Sequence, residues 1–398
     1  MTGTEILAAA RGYLPWLVDI RRRIHANPEL GTHELKTGDL IASVLEGLGL
    51  ASRRVGTAVV ARLVGGRPGP TVALRADIDA LPVEEKGDLP FKSAKPGLMH
   101  ACGHDAHTTI VLGAARFFAE RRDELAGSLV LLFQPDEEGE GGAEPLITAG
   151  ALEGVDAIFG LHVMPYLDPG EIELKKGALN GSSSTLYITV CGKGAHGAYP
   201  DLGIDAILIA SHLVQALNHL VSRYVSPLDE AVITIGTING GQRSNIVAEE
   251  VRLEATMRTT DDAVRDRLVA RVQALVEGIP ASFGGSGSLK VRHGYKALVN
   301  HDREVDILAR VGGEMLGPAA VHWKEKPSLG VEDFSFYLKK VPGAFWHLGC
   351  GRGPKEERAP LHSGDFLLDE DCLPVGVAMQ AAAVLRFCED FRQGGRAS

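Results

Sequence analysis

The sequence lacks a long hydrophobic run, which argues against a membrane-spanning protein. No stretch approaches the roughly 20 consecutive apolar residues that a membrane-spanning helix needs. Near the N-terminus, Glu5, Arg11 and Pro15 interrupt the apolar residues, and the basic residues 21–23 follow this stretch, whereas in a signal peptide they would precede it. We therefore expect a soluble, cytoplasmic protein with no membrane partner.

Cysteine is also scarce, and the chain has no excess of positive charge. The five cysteines are odd in number and widely spaced, which disfavours a disulfide framework and favours reduced thiols. The net charge of −10 argues against a nucleic-acid partner, because such surfaces are normally basic. The chain nevertheless has 45% hydrophobic residues for a core, and its 398 residues exceed what one core usually serves, so we expect two domains.

Short, continuous apolar runs and helical segments alternate in the first part of the chain. Continuous runs are typical of parallel strands that are covered on both faces, and the strand–helix–strand order predicts an α/β sheet with crossover connections. Asp105 is placed to cap the first turn of one helix. The predicted helices are 15–48 and 105–122, and the predicted strands are Ala58–Val64, 72–76, 129–133 and 157–163.

A different pattern begins after the flexible composition Asn-Gly-Ser-Ser-Ser at 180–184. Strands at 185–190, 231–238, 245–258 and 289–295 combine with helices at 204–223 and 262–278 in the order βαββαβ, which is the ferredoxin-like pattern. Apolar and polar residues alternate along 251–258, as in an antiparallel strand with one wet face. The α/β pattern of the first part then returns, with a predicted strand at 344–348 and a final helix at 371–391.

The predicted fold class is therefore α/β, with a mixed-sheet domain that carries helices on both faces and is interrupted by an inserted ferredoxin-like α+β domain. We place the first part of the α/β domain at 1–181, the inserted domain at 182–296 and the second part of the α/β domain at 297–398.

Side chains that bind metals occur in four places, each at the end of a predicted strand or in a glycine-rich loop. Open α/β sheets place their functional sites there. Thiolate, imidazole and carboxylate together are the donor set of a zinc-like site. The four groups are His100, Cys102, His104, Asp105 and His107; the acids Asp136, Glu137 and Glu138; His162; and His362.

Taken singly, each group has a structural explanation. His162 beside an apolar strand could be a hydrogen-bonded core residue, and the acids after residue 133 could form a solvated turn. Other histidines are interpreted as structural. His212 and His219 lie seven residues apart on one predicted helix, and His293, His301 and His322 have no other potential ligand nearby in the sequence.

Several motifs in order resemble one enzyme family. They are Ala-Asp-Ile-Asp-Ala-Leu-Pro at 76–82, Met-His-Ala-Cys-Gly-His-Asp at 99–105, Gln-Pro-Asp-Glu-Glu-Gly at 134–139, Gly-Leu-His at 160–162, Gly-Lys-Gly-Ala-His at 192–196 and Leu-His-Ser at 361–363. The sequence resembles the aminoacylase/carboxypeptidase family of dinuclear metallohydrolases, in the amidohydrolase branch with hippurate, auxin-conjugate and N-acyl-L-amino acid hydrolases. The resemblance covers nearly the whole chain.

The resemblance implies roles for individual residues in the first domain. Glu137 matches the catalytic base, and Asp79 matches the carboxylate that orients the site. His100 and His107 are expected to be supports rather than ligands. The residues that match metal ligands are Cys102, His104, Glu138, His162 and His362.

The resemblance also makes the inserted domain a lid and dimerisation domain. His196 matches a histidine that reaches the active site of the partner subunit and stabilises the oxyanion. Asn245 and Arg258 match residues that hold the carboxylate of the substrate. A homodimer, or a larger assembly built from dimers, is therefore expected.

The activity implied is that of a metal-dependent amidohydrolase that cleaves N-acyl amino acids, such as hippurate-like, N-acetyl or indole-acetyl conjugates. Water would be activated by two divalent ions per subunit (manganese, zinc, nickel or cobalt), with Glu137 as general base. Three alternatives remain: a metallocarboxypeptidase acting on small peptides, a thiol hydrolase with Cys102 as nucleophile, and a non-catalytic metal-binding scaffold. A serine hydrolase is disfavoured because the sequence has no Gly-x-Ser-x-Gly motif.

Two positions depart from the wider family. Its carboxypeptidases place a metal-binding histidine where this chain has Asp77, and a bridging aspartate near Cys102. These changes favour the amidohydrolase branch and leave open how the ligands divide between the two ions. Asp136 and Gly364 also stand where relatives often differ, and the sequence assigns no role to either.

Overall fold

The computed structural model describes residues 1–394. The helices are α1 (Gly3–Gly12), α2 (Leu14–His25), α3 (Leu35–Gly47), α4 (His104–Ala119), α5 (Ala143–Thr148), α6 (Ala206–Tyr224), α7 (Asp262–Ser282), α8 (Asp302–Leu316), α9 (Ser335–Leu338) and α10 (Cys372–Gly394). The strands are β1 (Ser52–Val55), β2 (Ala58–Val64), β3 (Arg67–Asp77), β4 (Ala126–Gln134), β5 (Ala157–Met164), β6 (Ile172–Leu174), β7 (Gly177–Asn180), β8 (Ser182–Cys191), β9 (Ala195–His196), β10 (Ala231–Gly240), β11 (Ile246–Val247), β12 (Glu250–Thr259), β13 (Ser286–His293), β14 (Leu298–Asn300), β15 (Val321–Trp323) and β16 (Gly343–Gly349).

The chain divides into two compact units. Unit 1 contains Met1–Gly177, Val299–Glu325 and the described residues from Phe336 onward, whereas unit 2 contains Ala178–Leu298 and Lys326–Ser335. The sequence placed 326–335 in the second part of the α/β domain. The structure instead attaches this segment to unit 2, because Gly181 N donates to Ser328 O at 2.8 Å and Ser328 N donates to Leu179 O at 2.9 Å. The end of the predicted range 297–398 lies outside the described residues.

Unit 1 is built on an eight-stranded mixed sheet in the order β1-β2-β4-β3-β5-β16-β6-β15. Strands β4, β3, β5 and β16 run parallel in this order. Helices α3, α4, α8 and α10 pack against the sheet. Strand β16 is buried along its whole length, as expected for a central strand covered by helices. The predicted α/β class is confirmed, and the parallel strands direct their carboxyl ends to one edge.

Four local predictions differ from the structure, one of them in unit 2: the strand expected at 245–258 is two strands, β11 and β12, which belong to different sheets. The single helix expected at 15–48 is two helices, α2 and α3, because Pro28 disfavours helical geometry at the residue before it. The apolar run of β2 is antiparallel to both β1 and β4, since burial on both faces is not exclusive to parallel strands. Asp105 does not cap α4; the helix begins after Gly103 without a side-chain cap, and the Asp105 carboxylate pairs with Arg21 and His25 instead.

Helix α10 is the one described helix that is long and apolar enough to cross a membrane. Its candidate span is Cys372–Gln393, and 83% of the most apolar part is buried inside the protein. A buried apolar helix is what the core of a soluble protein contains. It packs against α1, α4 and α8 and contributes to the main hydrophobic core.

Unit 2 is a four-stranded antiparallel sheet in the order β10-β12-β8-β13, with α6 and α7 packed against it. The chain order of these elements is βαββαβ, which confirms the ferredoxin-like prediction. Asp205 and Asp261 cap the two helices by accepting hydrogen bonds from backbone N–H groups of the first turns. Strand β12 alternates buried and exposed residues, so its apolar face meets the helices and its polar face is open.

Candidate metal centre

The ligand-type side chains of unit 1 follow the parallel strands to one edge of the sheet. Asp79 comes two residues after the end of β3, and Glu137 and Glu138 come shortly after the end of β4. His162 lies near the end of β5, and His104 is the first residue of α4. The carboxyl ends of parallel strands form the usual functional edge of such a sheet, so the topology gathers these residues despite their separation in sequence.

Cys102 lies at the centre of two overlapping groups of possible metal ligands. Its Sγ is 3.2 Å from His162 Nε2 and 3.2 Å from His362 Nε2. His362 Nε2 is also 3.0 Å from Glu138 Oε1. The first group is Cys102, His104 and His162, the second is Cys102, Glu138 and His362, and within each group the donor atoms lie within 4.8 Å of one another. All five residues that the sequence assigned to the metals are therefore brought together, with the thiol shared.

His104 is oriented as a metal ligand would be. Its Nδ1 is 3.0 Å from Asp79 O and 3.1 Å from Asp79 Oδ1, and both of these atoms are acceptors, so Nδ1 carries a proton. Its Nε2 is buried and has no hydrogen-bond partner. A histidine that binds a metal typically donates its other ring N–H to a carboxylate or carbonyl. Nε2 of His104 is thus available to a cation.

Asp79 contacts both sides of the cluster. Besides its contact with His104, its Oδ2 accepts a hydrogen bond from Glu138 N at 3.0 Å. The carboxylate is 1% exposed. Asp79 thus contacts both the imidazole ring of His104 and the acidic loop, and its orienting role stays a prediction.

The electrostatics of the cluster favour a cation. Burial disfavours the charged form of His104, but the nearby carboxylates of Asp77 and Asp79 outweigh it and raise its pKa well above the usual value. Burial raises the pKa of the Cys102 thiol well above its usual value, which opposes an unassisted thiolate nucleophile. A bound cation would supply the positive charge that stabilises a thiolate here. The donor set and the free Nε2 of His104 therefore fit a metal centre.

A neighbouring group, Asp77, His104 and His107, has similar spacing but different hydrogen bonding. His107 Nδ1 lies 2.6 Å from Asp77 Oδ1, and its Nε2 accepts a hydrogen bond from Val163 N at 2.9 Å. Asp77 also pairs with Arg75 at 2.7 Å. Because both nitrogens of His107 are engaged, its geometry is that of a support. His100 is also buried and belongs to none of the candidate groups found among the described residues.

The loops that carry the ligands adopt unusual backbone conformations. His362 has φ 64° and Asp136 has φ 56°, although neither is glycine. The N–H of His362 donates to Ala101 O at 2.8 Å, which ties the loop of His362 to the loop of Cys102. Gly103 has φ 85°, and a Cβ at this position would lie 2.4 Å from Val163 Cγ2. Left-handed non-glycine residues cluster at functional sites, where surrounding contacts hold them.

The remaining predicted site residues divide between the units. Glu137 is 7% exposed and forms a further group of possible ligands with His104 and Glu138. In unit 2, His196 ends β9 and Asn245 directly precedes β11; these two strands pair, and Gly197 N donates to Asn245 O at 2.8 Å. Arg258 lies on the open face of β12 and is half-buried. Their roles stay predictions.

Two sets of supporting residues were not predicted. Arg75 and Asp77 lie two residues apart on β3 and so share one face of the strand, which was a local signal in the sequence. Arg21 and His25, which both bind Asp105, are spaced i, i+4 on α2 and therefore share a face. That spacing was a signal in the sequence, but the partner is 84 residues away and nothing local indicates it.

The mixed sheet, the donors at its edge and the adjacent acid are together the arrangement of a metal-dependent hydrolase. The chain belongs to peptidase family M20/M25/M40, whose model matches residues 73–386, and it is a hydrolase that acts on amide bonds. The family resemblance found in the sequence is confirmed.

Relatives with known names agree with this class. The chain is 42% identical over 364 residues to an N-acetyl-L-cysteine deacetylase of Bacillus subtilis, covering 90% of this chain and 84% of the relative. It is 38% identical over 378 residues to thermostable carboxypeptidase 2 of Saccharolobus solfataricus, covering 94% and 95%. It is also similar to the crystal structure of a dinuclear metal-binding peptidase of the M20 family from Bacillus subtilis, with a TM-score of 0.84, 31% identity and coverage of 95% and 99%.

Proposed function

We propose that this protein is a metal-dependent amidohydrolase that removes the acyl group from N-acyl amino acids. The observation that carries the proposal is the cluster around Cys102, with two overlapping ligand groups and the acid Glu137 beside them. A single thiol shared by two groups suits two divalent ions. The similarity to a dinuclear peptidase supports the same number.

The residues that would hold the two ions are Cys102, His104, Glu138, His162 and His362. Sulfur and imidazole donors favour zinc physically, and the resemblance to this branch adds manganese, nickel and cobalt as candidates. When bound, the ions would lower the pKa of water and polarise the amide carbonyl. Asp79 contributes by keeping the proton on Nδ1 of His104 and leaving Nε2 free.

The protein's own residues would carry the proton transfers. Glu137 accepts a proton from the attacking water and returns it to the departing amine nitrogen, so one carboxyl group acts first as base and then as acid. His196 is proposed to donate a hydrogen bond to the oxygen of the tetrahedral intermediate. The products are a carboxylic acid and a free amino acid.

The chemistry of Arg258 supports a substrate with a free carboxylate. Its guanidinium is half-buried, burial lowers its pKa, and no carboxylate of the described residues pairs with it. Arginine can bind a carboxylate through two parallel hydrogen bonds. N-Acetyl-L-cysteine and the C-terminal end of a peptide both present an acylated amino acid with a free carboxylate, so the names of both relatives fit this requirement.

A kinetic comparison tests the substrate class. Hippurate should be cleaved with a kcat/KM roughly 10²-fold or more above that of N-methylbenzamide, which is the same amide without the carboxylate. Arg258→Gln should lower kcat/KM for hippurate and leave that for N-methylbenzamide unchanged, and Arg258→Lys should lie between because lysine lacks the two-pronged geometry. Equal cleavage of both amides would contradict the proposal.

The carboxypeptidase alternative is favoured by the 38% identical relative. Adding unblocked tripeptides to the same assay distinguishes a carboxypeptidase from an N-acyl amino acid deacylase. If the tripeptides are cleaved with a higher kcat/KM than every N-acyl amino acid, the protein is a carboxypeptidase and the deacylase assignment fails.

We also propose that the protein is a cytoplasmic homodimer, or an assembly of such dimers, formed through unit 2. The cysteines are all free, as expected for a reducing compartment. Exposed apolar residues collect on unit 2, and they include Ile207, Leu208, Ile238 and Ile246, with 45–54% of each exposed. Strand β10 is an edge strand of ten residues, and an exposed edge of this length commonly pairs with another chain.

Mixing two inactive variants tests both the dimer and the role of His196. Glu137→Gln and His196→Ala subunits should each be nearly inactive alone. After unfolding and refolding together, half of the dimers would be mixed and one of their two sites whole, so about one quarter of wild-type activity should return. No recovery in a mixture that sediments as dimers would show that His196 does not act in the partner's site.

A further inference from the structure

The segment from Glu29 to Glu34, between α2 and α3, contacts both acid-bearing loops of the metal centre. The carbonyl of Glu29 accepts a hydrogen bond from Ala80 N at 2.8 Å, directly after Asp79. Oε1 of Glu34 accepts a hydrogen bond from Asp136 N at 3.0 Å, directly before Glu137. One short stretch of chain thus ties together the two loops that contribute carboxylates.

Glu34 is completely buried, with 0% of its surface exposed. Its Oε2 accepts a hydrogen bond from Thr57 Oγ1 at 2.8 Å, so each carboxyl oxygen has one partner. Burial is the largest influence on Glu34 and raises its pKa. Burying a carboxyl group is costly unless hydrogen bonds compensate for it. An apolar side chain would fill the space more cheaply, so the polar contacts of Glu34 require a reason.

The backbone of Asp136 needs support from its surroundings. It has φ 56°, and its carbonyl and Oδ2 accept hydrogen bonds from Gly141 N at 3.1 Å and Glu140 N at 3.2 Å. A Cβ at Gly31 or Gly139 would come within 1.9 or 2.2 Å of Asp136 Oδ1. The loop therefore winds closely around Asp136, and this left-handed turn sets the direction in which the next two residues leave.

We propose that Glu34 is a positioning residue for the general base Glu137 and the metal ligand Glu138. Its carboxyl group holds the backbone N–H of Asp136 and so maintains the left-handed turn from which both acids project. The proposal rests on the proposed function for the role of Glu137. The competing explanation is that Glu34 only joins α3 to β2 through Thr57, and the two explanations predict different behaviour in variants.

The test compares three variants for turnover. Glu34→Leu removes the acceptor and should lower kcat about 10²-fold while KM changes less than about threefold, because a displacement near 1 Å has this effect on catalysis. Glu34→Gln should recover kcat to within about threefold, since its carbonyl can accept from Asp136 N and its amide can donate to Thr57 Oγ1. Thr57→Val is the matched control, which keeps the Asp136 contact and should retain wild-type kcat.

A second readout does not depend on the substrate. The metal-free protein is loaded with Co²⁺ alone, and its visible absorption reports the geometry of the ligands. Glu34→Leu should shift the absorption bands or weaken Co²⁺ binding at least tenfold, since Glu138 is displaced, whereas Glu34→Gln and Thr57→Val should match the wild type. If the wild type cleaves no N-acyl amino acid, the proposed function fails while this cobalt comparison still decides the role of Glu34.

Specific outcomes would overturn the positioning role. They are an unchanged cobalt spectrum and unchanged kcat in Glu34→Leu, a Glu34→Gln variant as damaged as Glu34→Leu, or equal losses in Thr57→Val and Glu34→Leu. If Glu34→Leu does not fold, Glu34→Asp replaces it. The aspartate retains the carboxyl group but is one methylene too short to reach both Asp136 N and Thr57 Oγ1. We therefore expect smaller losses of kcat and of Co²⁺ binding than in Glu34→Leu. Wild-type kcat and Co²⁺ binding in Glu34→Asp would refute the proposal.

Discussion

Replacing Glu137 by glutamine is expected to lower kcat by roughly 10²–10⁴-fold, which is the usual contribution of a positioned general base. Glutamine has nearly the same shape but cannot accept the proton of the attacking water. Glu137 is 7% exposed and lies in a group with His104 and Glu138, so bulk water cannot easily take over its task. KM should change little, because the substitution removes an interaction that matters only in the transition state.

Metal content separates this role from that of the neighbouring acid. Glu137→Gln should retain two ions per subunit by elemental analysis, whereas Glu138→Gln, the matched control one residue away, should lose at least one ion together with activity. Loss of an ion from Glu137→Gln would mean that Glu137 is itself a ligand, and full turnover would mean that another group is the base.

The fold could be predicted well because each unit has its own sequence pattern. Strand β12 alternates in sequence and in burial, and the order βαββαβ is visible before any contact is known. The errors fell where the pattern is ambiguous. The apolar run of β2 is compatible with either strand direction, and apolar and charged residues interleave on both sides of Pro28, although proline disfavours a continuous helix there.

The metal centre could be predicted only in part from the residues themselves. Spacing indicated Cys102 and His104 as a pair, but His362 is 260 residues from Cys102, and their 3.2 Å contact exists only through the fold. The family resemblance supplied that ligand and the assignment of Glu137. Supports such as Glu34, whose partner Asp136 is 102 residues away, have no local signal that distinguishes them from surface acids.

The same limitation applies to the buried ion pairs that anchor the metal-binding helix. Arg21 Nε lies 3.0 Å and His25 Nδ1 lies 2.8 Å from Asp105 Oδ2, and Arg21 also pairs with Glu370 at 2.9 Å. Arg21 is 2% exposed and Asp105 is fully buried. Because Asp105 follows His104 directly, these contacts fix the first turn of α4, which carries the proposed ligand His104.

Arg21→Met should therefore destabilise unit 1 by about 3 kcal/mol, since breaking a buried pair leaves an uncompensated charge. This value is the lower end of the usual range, because His25 continues to bind Asp105. Arg22→Met is the matched control: Arg22 pairs with the same Glu370 but is 44% exposed, so its loss should cost about 0–1 kcal/mol.

Urea unfolding of the metal-free protein, followed by tryptophan fluorescence, measures the free energy of unfolding of each variant and of the wild type. The three tryptophans, Trp16, Trp323 and Trp346, all lie in unit 1, so the signal reports that unit alone. Removing the ions beforehand keeps metal binding from adding to the apparent stability. Equal losses in Arg21→Met and Arg22→Met would show that Glu370 rather than Asp105 is the important partner, and the anchoring of α4 would then have to come from its packing against α2 and α10.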